Sequence, residues 1–233
     1  MSIKNCIVII PARKNSKRIK GKNLRHLNGK PLISHSIEYA LKHIDQKNIW
    51  VNTDDDLVID LAKKYKVSTY KRPSRLAKDE TLTNEVVIDF CQYLVREGIK
   101  FENIITLQPT NPLRSENLLE TALNQLIKSK RKSLMSVSVL YKKFGRIINN
   151  NYVPMNYQLG ERHQDLETLF YENGLIYIST KEAVLEEKEY ISSDLFPLVT
   201  DEIGAQIDID YEEDFKLAEL IITRENNINE NFR

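Results

Sequence analysis

The chain has 233 residues, 41% hydrophobic and 29% charged, a balance that suits a folded core and excludes a long disordered tail. With 34 Lys and Arg against 33 Asp and Glu, the net charge is only +1, which weighs against a nucleic-acid binder; two cysteines, Cys6 and Cys91, are too few for a disulfide framework or a Cys-based zinc site. No run approaches the roughly 18 apolar residues of a membrane span. The apolar run in MSIKNCIVIIPARKNSKR precedes its cations, the reverse of a secretion signal, so a cytoplasmic protein that does not use a membrane is expected.

Residues 5–12 (NCIVIIPA) form an apolar run closed by a proline and read as a buried strand of a parallel sheet. A polar loop follows to Gly29. Pro31 then opens a helix with Leu32, Ile33, Ser36, Ile37, Ala40, Leu41 and Ile44 on one face. Residues 48–53 read as a strand, 54–65 as a helix, 67–70 as a short strand and 71–78 (KRPSRLAK) as a loop. A helix is expected over 83–97, a strand over 103–107, and a stiff two-proline loop over 108–114 (QPTNPLR). Ser115 is the expected N-cap of a helix to about Lys128, before a strand at 133–140.

From 141 to 171 the rhythm breaks. Tyr141, Phe144, Tyr152, Tyr157, Phe170 and Tyr171 lie in a stretch with no period of its own and too long for an ordinary connection. It is read as an excursion whose aromatic residues need a partner surface, a dimerisation arm. Asn173-Gly174 reads as a turn. A strand over 174–179, a helix from about Lys181, a strand over 204–209 and a helix over 212–224 complete the chain, which is taken as one domain over 1–233. Strand–helix alternation predicts an α/β fold with a mostly parallel sheet and ligands beyond the carboxyl ends of its strands.

Charge is unevenly placed. The first acid is Glu38, after nine cations, so the remainder of the chain carries −8; residues 201–233 alone hold ten acids against Lys216, Arg224 and Arg233. In the loop after the first strand, Arg13, Lys17, Arg18 and Lys22 supply charge, while Ser16 and Gly21 allow close backbone approach, the requirements of a polyphosphate. The Gly-x4-Gly-Lys-Ser/Thr spacing of a Walker loop is absent. Near the other end, alternation in Ile207-Asp208-Ile209-Asp210 sets the two acids on one face, about 7 Å apart. They could hold Mg²⁺ together with phosphate oxygens, or simply face water. His26, His35, His43 and His163 show no metal spacing, and no Gly-x-Ser-x-Gly elbow occurs.

Taken together, PARKNSKRIKGKN, RPSRLAKD, LQPTNPLR, RHQ…YENGLIYI and DIDYEEDF resemble, in order, the motifs of the acylneuraminate cytidylyltransferases, the CMP-sialic acid synthetases. The resemblance covers nearly the whole chain. It implies a Rossmann-like nucleotidyltransferase fold and a homodimer. It also implies transfer of CMP from CTP to the anomeric hydroxyl of a nine-carbon 2-keto sugar acid, with release of pyrophosphate. By position it implies that Arg13, Ser16, Lys22 and Asn23 hold the phosphates and ribose, Thr81 or Thr83 lies near the cytosine, and Gln108 contacts the sugar. Asp208 and Asp210 would hold Mg²⁺, with Mn²⁺ as an alternative; Arg13, Lys22 and Asp210 would be catalytic. Where the family usually has Arg-Gln this chain has His163-Gln164, so Arg162 and Gln164 are the cation and amide offered to a sugar carboxylate and acyl group. Asn173, in a stretch that resembles the sialic and legionaminic branches, is a further candidate sugar contact. Competing readings are a cytidylyltransferase for legionaminate, pseudaminate or octulosonate, a D-x-D glycosyltransferase, and a nucleic-acid-binding module.

Overall fold

The computed structural model describes residues 5–231, with side chains described through Arg224. Lys4, Arg233 and the side chains of Glu225 and Glu230, counted above in the charge pattern, lie outside the described residues. In chain order the first half contains β1 (Cys6–Pro11), β2 (His26–Leu27), β3 (Lys30–Pro31), α1 (Leu32–His43), β4 (Ile49–Thr53), α2 (Asp56–Lys64), β5 (Ser68–Lys71), α3 (Thr83–Arg96) and β6 (Asn103–Thr106). The second contains α4 (Leu118–Ser129), β7 (Ser133–Leu140), β8 (Gly145–Ile148), β9 (Asn151–Pro154), β10 (Leu169–Thr180), α5 (Lys181–Leu185), β11 (Leu195–Val199) and α6 (Glu212–Asn231).

Seven strands form one sheet in the order β11-β7-β10-β6-β1-β4-β5. β1 pairs in parallel with β4 and β6, β4 with β5, and β11 with β7; β10 alone runs antiparallel, between β6 and β7. This is the mostly parallel α/β sheet the alternation predicts. β1 must be apolar at every position because both faces are covered. Val8 and Ile10 join a core with Ile33, Ile37 and Ala40 of α1 and Leu119 and Ala122 of α4. Ile7 and Ile9 instead meet Val87, Phe90 and Leu94 of α3 on the other face.

A third, smaller cluster decides where function can sit. Ile19 and Leu27, from the segment after β1, pack with Leu32, Ile207, Ile209, Phe215, Ala218 and Ile221. Each such aliphatic side chain contributes roughly 1.5–3 kcal/mol on burial. The cluster thereby fastens the basic start of the chain to the acidic segment near its end.

Several local expectations are corrected. Residues 204–209 are not a strand: a 3₁₀ turn at Ile203–Gln206 leads into an extended segment with no ladder partner. Its alternation is real, since Ile207 and Ile209 are buried and Asp208 and Asp210 are not, but it serves the third cluster rather than a sheet. Ser115 does not cap α4; the helix starts after Asn117, and the Ser115 carbonyl accepts the Leu118 N–H at 3.3 Å. Asn173-Gly174 is not a turn between elements but an irregularity inside β10, where the register against β7 shifts and Gly174 takes φ +76°. The excursion is partly regular: β8 and β9 make a hairpin, with Asn149 and Asn150 at φ 47° and 63° as the left-handed pair a two-residue turn needs. Asn28-Gly29 builds a second such hairpin between β2 and β3, inside what the sequence suggests is plain loop.

Candidate active site

At the carboxyl ends of β1, β5 and β6 lies a cavity of about 440 Å³, within the range of small-molecule sites. Arg13, Ser16, Lys22, Asn23, Thr81, Thr83, Gln108 and Asp210 all line it, so eight of the expected residues, drawn from four separate segments, meet around one space. Six cations, Arg13, Lys17, Arg18, Lys22, Arg72 and Lys78, face it against two acids, Asp79 and Asp210. Such an excess of positive charge in a cleft concentrates a polyanion.

The basic loop is shaped from within. Gly21 adopts φ +67° and starts a 3₁₀ turn over Lys22–Leu24. Asn23, almost fully buried, donates its amide to the Arg13 carbonyl at 3.0 Å and closes the loop on itself. Arg13 pairs with Asp79 at 2.8 Å and donates to the Lys78 carbonyl at 3.2 Å, and Lys17 reaches Asp79 at 3.2 Å. The segment that carries Thr81 and Thr83 is thus tied to the segment that carries Ser16.

On the opposite wall, Lys22 Nζ donates to the Ile209 carbonyl at 2.7 Å and to Asp210 Oδ1 at 3.0 Å, and Arg18 also pairs with Asp210. Arg18 lies 5.2 Å from the Tyr211 ring and Arg25 4.7 Å from the Phe215 ring, with Arg25 also on Glu212. Asp214 accepts the N–H groups of Asp210 at 2.8 Å and Tyr211 at 2.6 Å, fixing the backbone that presents Asp210. Desolvation alone would raise the Asp210 pKa; the Lys22 hydrogen bond and charge, with Arg18, outweigh it and hold the group below the usual carboxylate range. Asp208 is shifted the other way. Desolvation raises its pKa and the Asp210 charge adds to this, against the lowering influence of Thr110 and of the Lys22 charge.

Asp208 stands beside the cavity but not in its lining. The two carboxylates offer hard oxygen donors, and the repulsion between them is what a divalent cation relieves. Among the described residues no group of three or more His, Cys, Asp or Glu side chains is placed for a metal. An ion here would therefore need ligand oxygens to complete its shell, the usual habit of Mg²⁺ with phosphates.

Three expected sugar contacts lie elsewhere. Arg162 is exposed on the excursion and forms a two-point pair with Asp165 at 2.7 and 3.1 Å, and Gln164 is exposed in the following 3₁₀ turn. Asn173 is buried, and its amide is spent on Ser138 Oγ at 2.8 Å and Thr200 Oγ1 at 2.6 Å. In turn the structure supplies one residue that sequence reasoning missed. Arg72 is buried in the cavity wall with Nε on Asn52 Oδ1 at 2.7 Å and Nη2 on the Asn52 carbonyl at 3.1 Å. Burial pushes its guanidinium down to about 10, so it stays charged at neutral pH. Its sequence signal was its place at the head of RPSRLAKD, one of the resembling motifs, in a segment that otherwise reads as loop.

Comparison with known proteins agrees with this geometry. A model of the cytidylyltransferase family matches residues 7–231. The CMP-N,N'-diacetyllegionaminic acid synthase of Legionella pneumophila is 35% identical over 225 residues, which cover 93% of this chain and 95% of that protein. The N-acylneuraminate cytidylyltransferase of Streptococcus agalactiae is 31% identical over 194 residues, 80% of this chain; the chain spans about half of that longer protein, 46%. A solved CMP:2-keto-3-deoxy-manno-octonic acid synthetase complexed with CTP superposes with a TM-score of 0.67 at 17% identity, covering 94% of this chain and 99% of that one, which shows a shared fold. The family match spans nearly the whole length, and the cavity gathers the cations that a nucleotide's phosphates require: the chain belongs to the cytidylyltransferase family.

Proposed function

We propose that the protein transfers CMP from CTP to the anomeric hydroxyl of a nine-carbon 2-keto sugar acid of the sialic or legionaminic type, with release of pyrophosphate. It does so as a single catalytic domain that works as a homodimer in the cytoplasm, with the excursion at 141–171 as dimerisation and sugar-binding arm. The observation that carries this reading is the convergence of Arg13, Lys17, Arg18 and Lys22 with Asp210 around one cavity at the carboxyl ends of the strands. Similarity to the Legionella enzyme along nearly all of both chains supports the acid class. Among the described residues no helix is long and apolar enough to cross a membrane.

In this reaction the anomeric oxygen attacks the α-phosphorus, the bond from that phosphorus to the bridging oxygen breaks, and pyrophosphate leaves with the electron pair. Positioning and charge neutralisation do most of the work in phosphoryl chemistry. Arg13 and Lys17 exchange Asp79 for the β- and γ-phosphates, and Ser16, on the turn that Asn23 closes, lies with Asn23 along the phosphates and ribose. Arg72 and the two threonines, Thr81 and Thr83, form the end that takes the base. Gln108, on the rigid loop after β6, faces the acceptor sugar, and Arg162, Gln164 and Asn173 belong to the arm and strand that would complete the sugar side in the dimer. Asp208 and Asp210 would hold Mg²⁺ or Mn²⁺, which when bound polarises phosphoryl oxygens. Lys22 holds Asp210 in place and adds positive charge beside it.

The direct test is identification by mass of a CMP-glycoside after incubation with CTP, Mg²⁺ and N-acetylneuraminate or legionaminate. Product is expected with the wild type, none with EDTA present, and about 100-fold less from a folded Asp210→Asn variant. Undiminished product in EDTA would overturn the role given to the aspartates.

A further inference from the structure

The segment that bears both aspartates has no place in the sheet, so something else must set its position. Its backbone is held at few points: Ile209 N–H donates to the Thr110 carbonyl at 2.7 Å, Ile207 N–H to the Gly204 carbonyl at 3.1 Å and Asp210 N–H to Asp214 Oδ2 at 2.8 Å, and Lys22 reaches the Ile209 carbonyl. The tie to the sheet is made by a side chain. Asn111, 1% exposed, donates its amide to the Ile207 carbonyl at 3.1 Å and to the Asn173 carbonyl at 2.9 Å, while its own oxygen accepts from Thr110 Oγ1 at 3.1 Å. One carboxamide thus spans two segments that the sheet does not pair.

The surroundings are built around that carboxamide. A Cβ added at Gly174 would lie 2.5 Å from Asn111 Oδ1, and Gly174 is at φ +76°, so only glycine leaves the space. Asn173, whose carbonyl Asn111 holds, is itself anchored to Ser138 on β7 and to Thr200 after β11. On the other side, a Cβ at Gly204 would meet the Leu113 carbonyl at 2.5 Å, so the turn before Ile207 also lies hard against the loop that carries Asn111. The sheet's irregular strand is therefore the fixed frame, and Asn111 transmits its position to the acidic segment.

We propose that Asn111 is a positioning residue for the Asp208–Asp210 pair: its two amide hydrogens lock the acidic segment to the β10 irregularity at the distance the nucleotide phosphates need. This rests on the reading that the two aspartates serve cytidylyl transfer. No other residue type of that length offers two donors from one neutral group. Serine can supply one, and alanine none.

The experiment compares Asn111→Ala, Asn111→Ser and, as a control away from the site, Gln46→Ala, each first shown to be folded by thermal melting. Gln46→Ala also removes a carboxamide that donates to two backbone carbonyls, those of Tyr65 and Lys66 at 3.0 and 2.6 Å, but none near the acidic segment. Three quantities are read: the Kd for CTP in EDTA, the Mn²⁺ concentration that half-saturates the CTP complex by electron paramagnetic resonance, and kcat. For Asn111→Ala the expected result is a half-saturating Mn²⁺ raised about 10-fold and a kcat lowered by about 10- to 100-fold, the usual effect of losing a ligand's supporting hydrogen bond, with the Kd for CTP in EDTA unchanged. Asn111→Ser should fall between Ala and wild type, and it alone decides the matter if the alanine variant does not fold. Wild-type Mn²⁺ saturation in a folded Asn111→Ala or Asn111→Ser, or an equal loss in Gln46→Ala, would overturn the proposal, as would a wild type that binds no Mn²⁺ with CTP. A wild type that binds Mn²⁺ and CTP yet turns over no keto acid would instead defeat the proposed function, and the Mn²⁺ comparison would still decide the role of Asn111.

Discussion

Lys22 reaches across 187 residues of sequence to the Ile209 carbonyl and one further to Asp210. That contact is where the two charge poles of the chain meet. Replacement of Lys22 or Arg13 by alanine should raise KM for CTP and lower kcat together, by about 100-fold in kcat/KM, because each cation faces charge that moves during the reaction. Steady-state kinetics of the two variants check this, and unchanged constants in both would place the phosphates elsewhere. Residues of this kind were legible in the sequence because a dense cationic run directly after an apolar strand has few other uses. The motif that Arg72 heads, RPSRLAKD, was legible, but not the place of Arg72 in the cavity wall, which comes from the pairing of β4 with β5 that brings the Thr53 carbonyl to its N–H at 2.9 Å and Asn52 to its guanidinium. The part played by Asn111 was equally hidden: LQPTNPLR was legible as a motif, but the partners of the Asn111 amide are backbone carbonyls from distant segments.

At the scale of elements, buried strands and amphipathic helices were readable because burial on both faces of β1, or on one face of α1 and α3, leaves a regular trace. Elements that owe their form to something other than a core were misread. β8 and β9 expose most of their side chains, so the hairpin shows no alternation, and the acidic segment shows alternation without a ladder. The excursion nonetheless presents apolar surface, with Tyr141 66%, Ile147 76%, Met155 61% and Leu159 73% exposed. Lone residues of this kind are ordinary, but several on one arm call for a covering surface. Ile147→Asp, a charge placed at the most exposed of them, should therefore shift the protein from dimer to monomer in light scattering, with the melting temperature changed little. A wild type that is monomeric and active at high dilution would contradict the arm's assignment.

For the molecule as a whole, a near-zero net charge conceals a strong internal asymmetry that folding turns into one site. The parallel strands set their carboxyl ends, and hence the loops after β1, β5 and β6, on a common edge. The third hydrophobic cluster adds the acidic segment to that edge. The cations of the cavity outnumber its acids by four, with Arg13 and Lys17 paired to Asp79 and Arg18 and Lys22 to Asp210. In the proposed reading the sugar side is completed by the arm, whose Arg162 and Gln164 do not line the cavity of the single chain, so the choice of acid is not written in that cavity. The central claim, cytidylyl transfer to a nine-carbon keto acid, is tested most directly by pyrophosphate release from CTP and Mg²⁺ with sialic, legionaminic, pseudaminic and octulosonic acids at equal concentration. The account predicts release that depends on the acid, with kcat/KM highest for the legionaminic or sialic acid; release with none of the four, or a kcat/KM highest for the eight-carbon octulosonate, would contradict it.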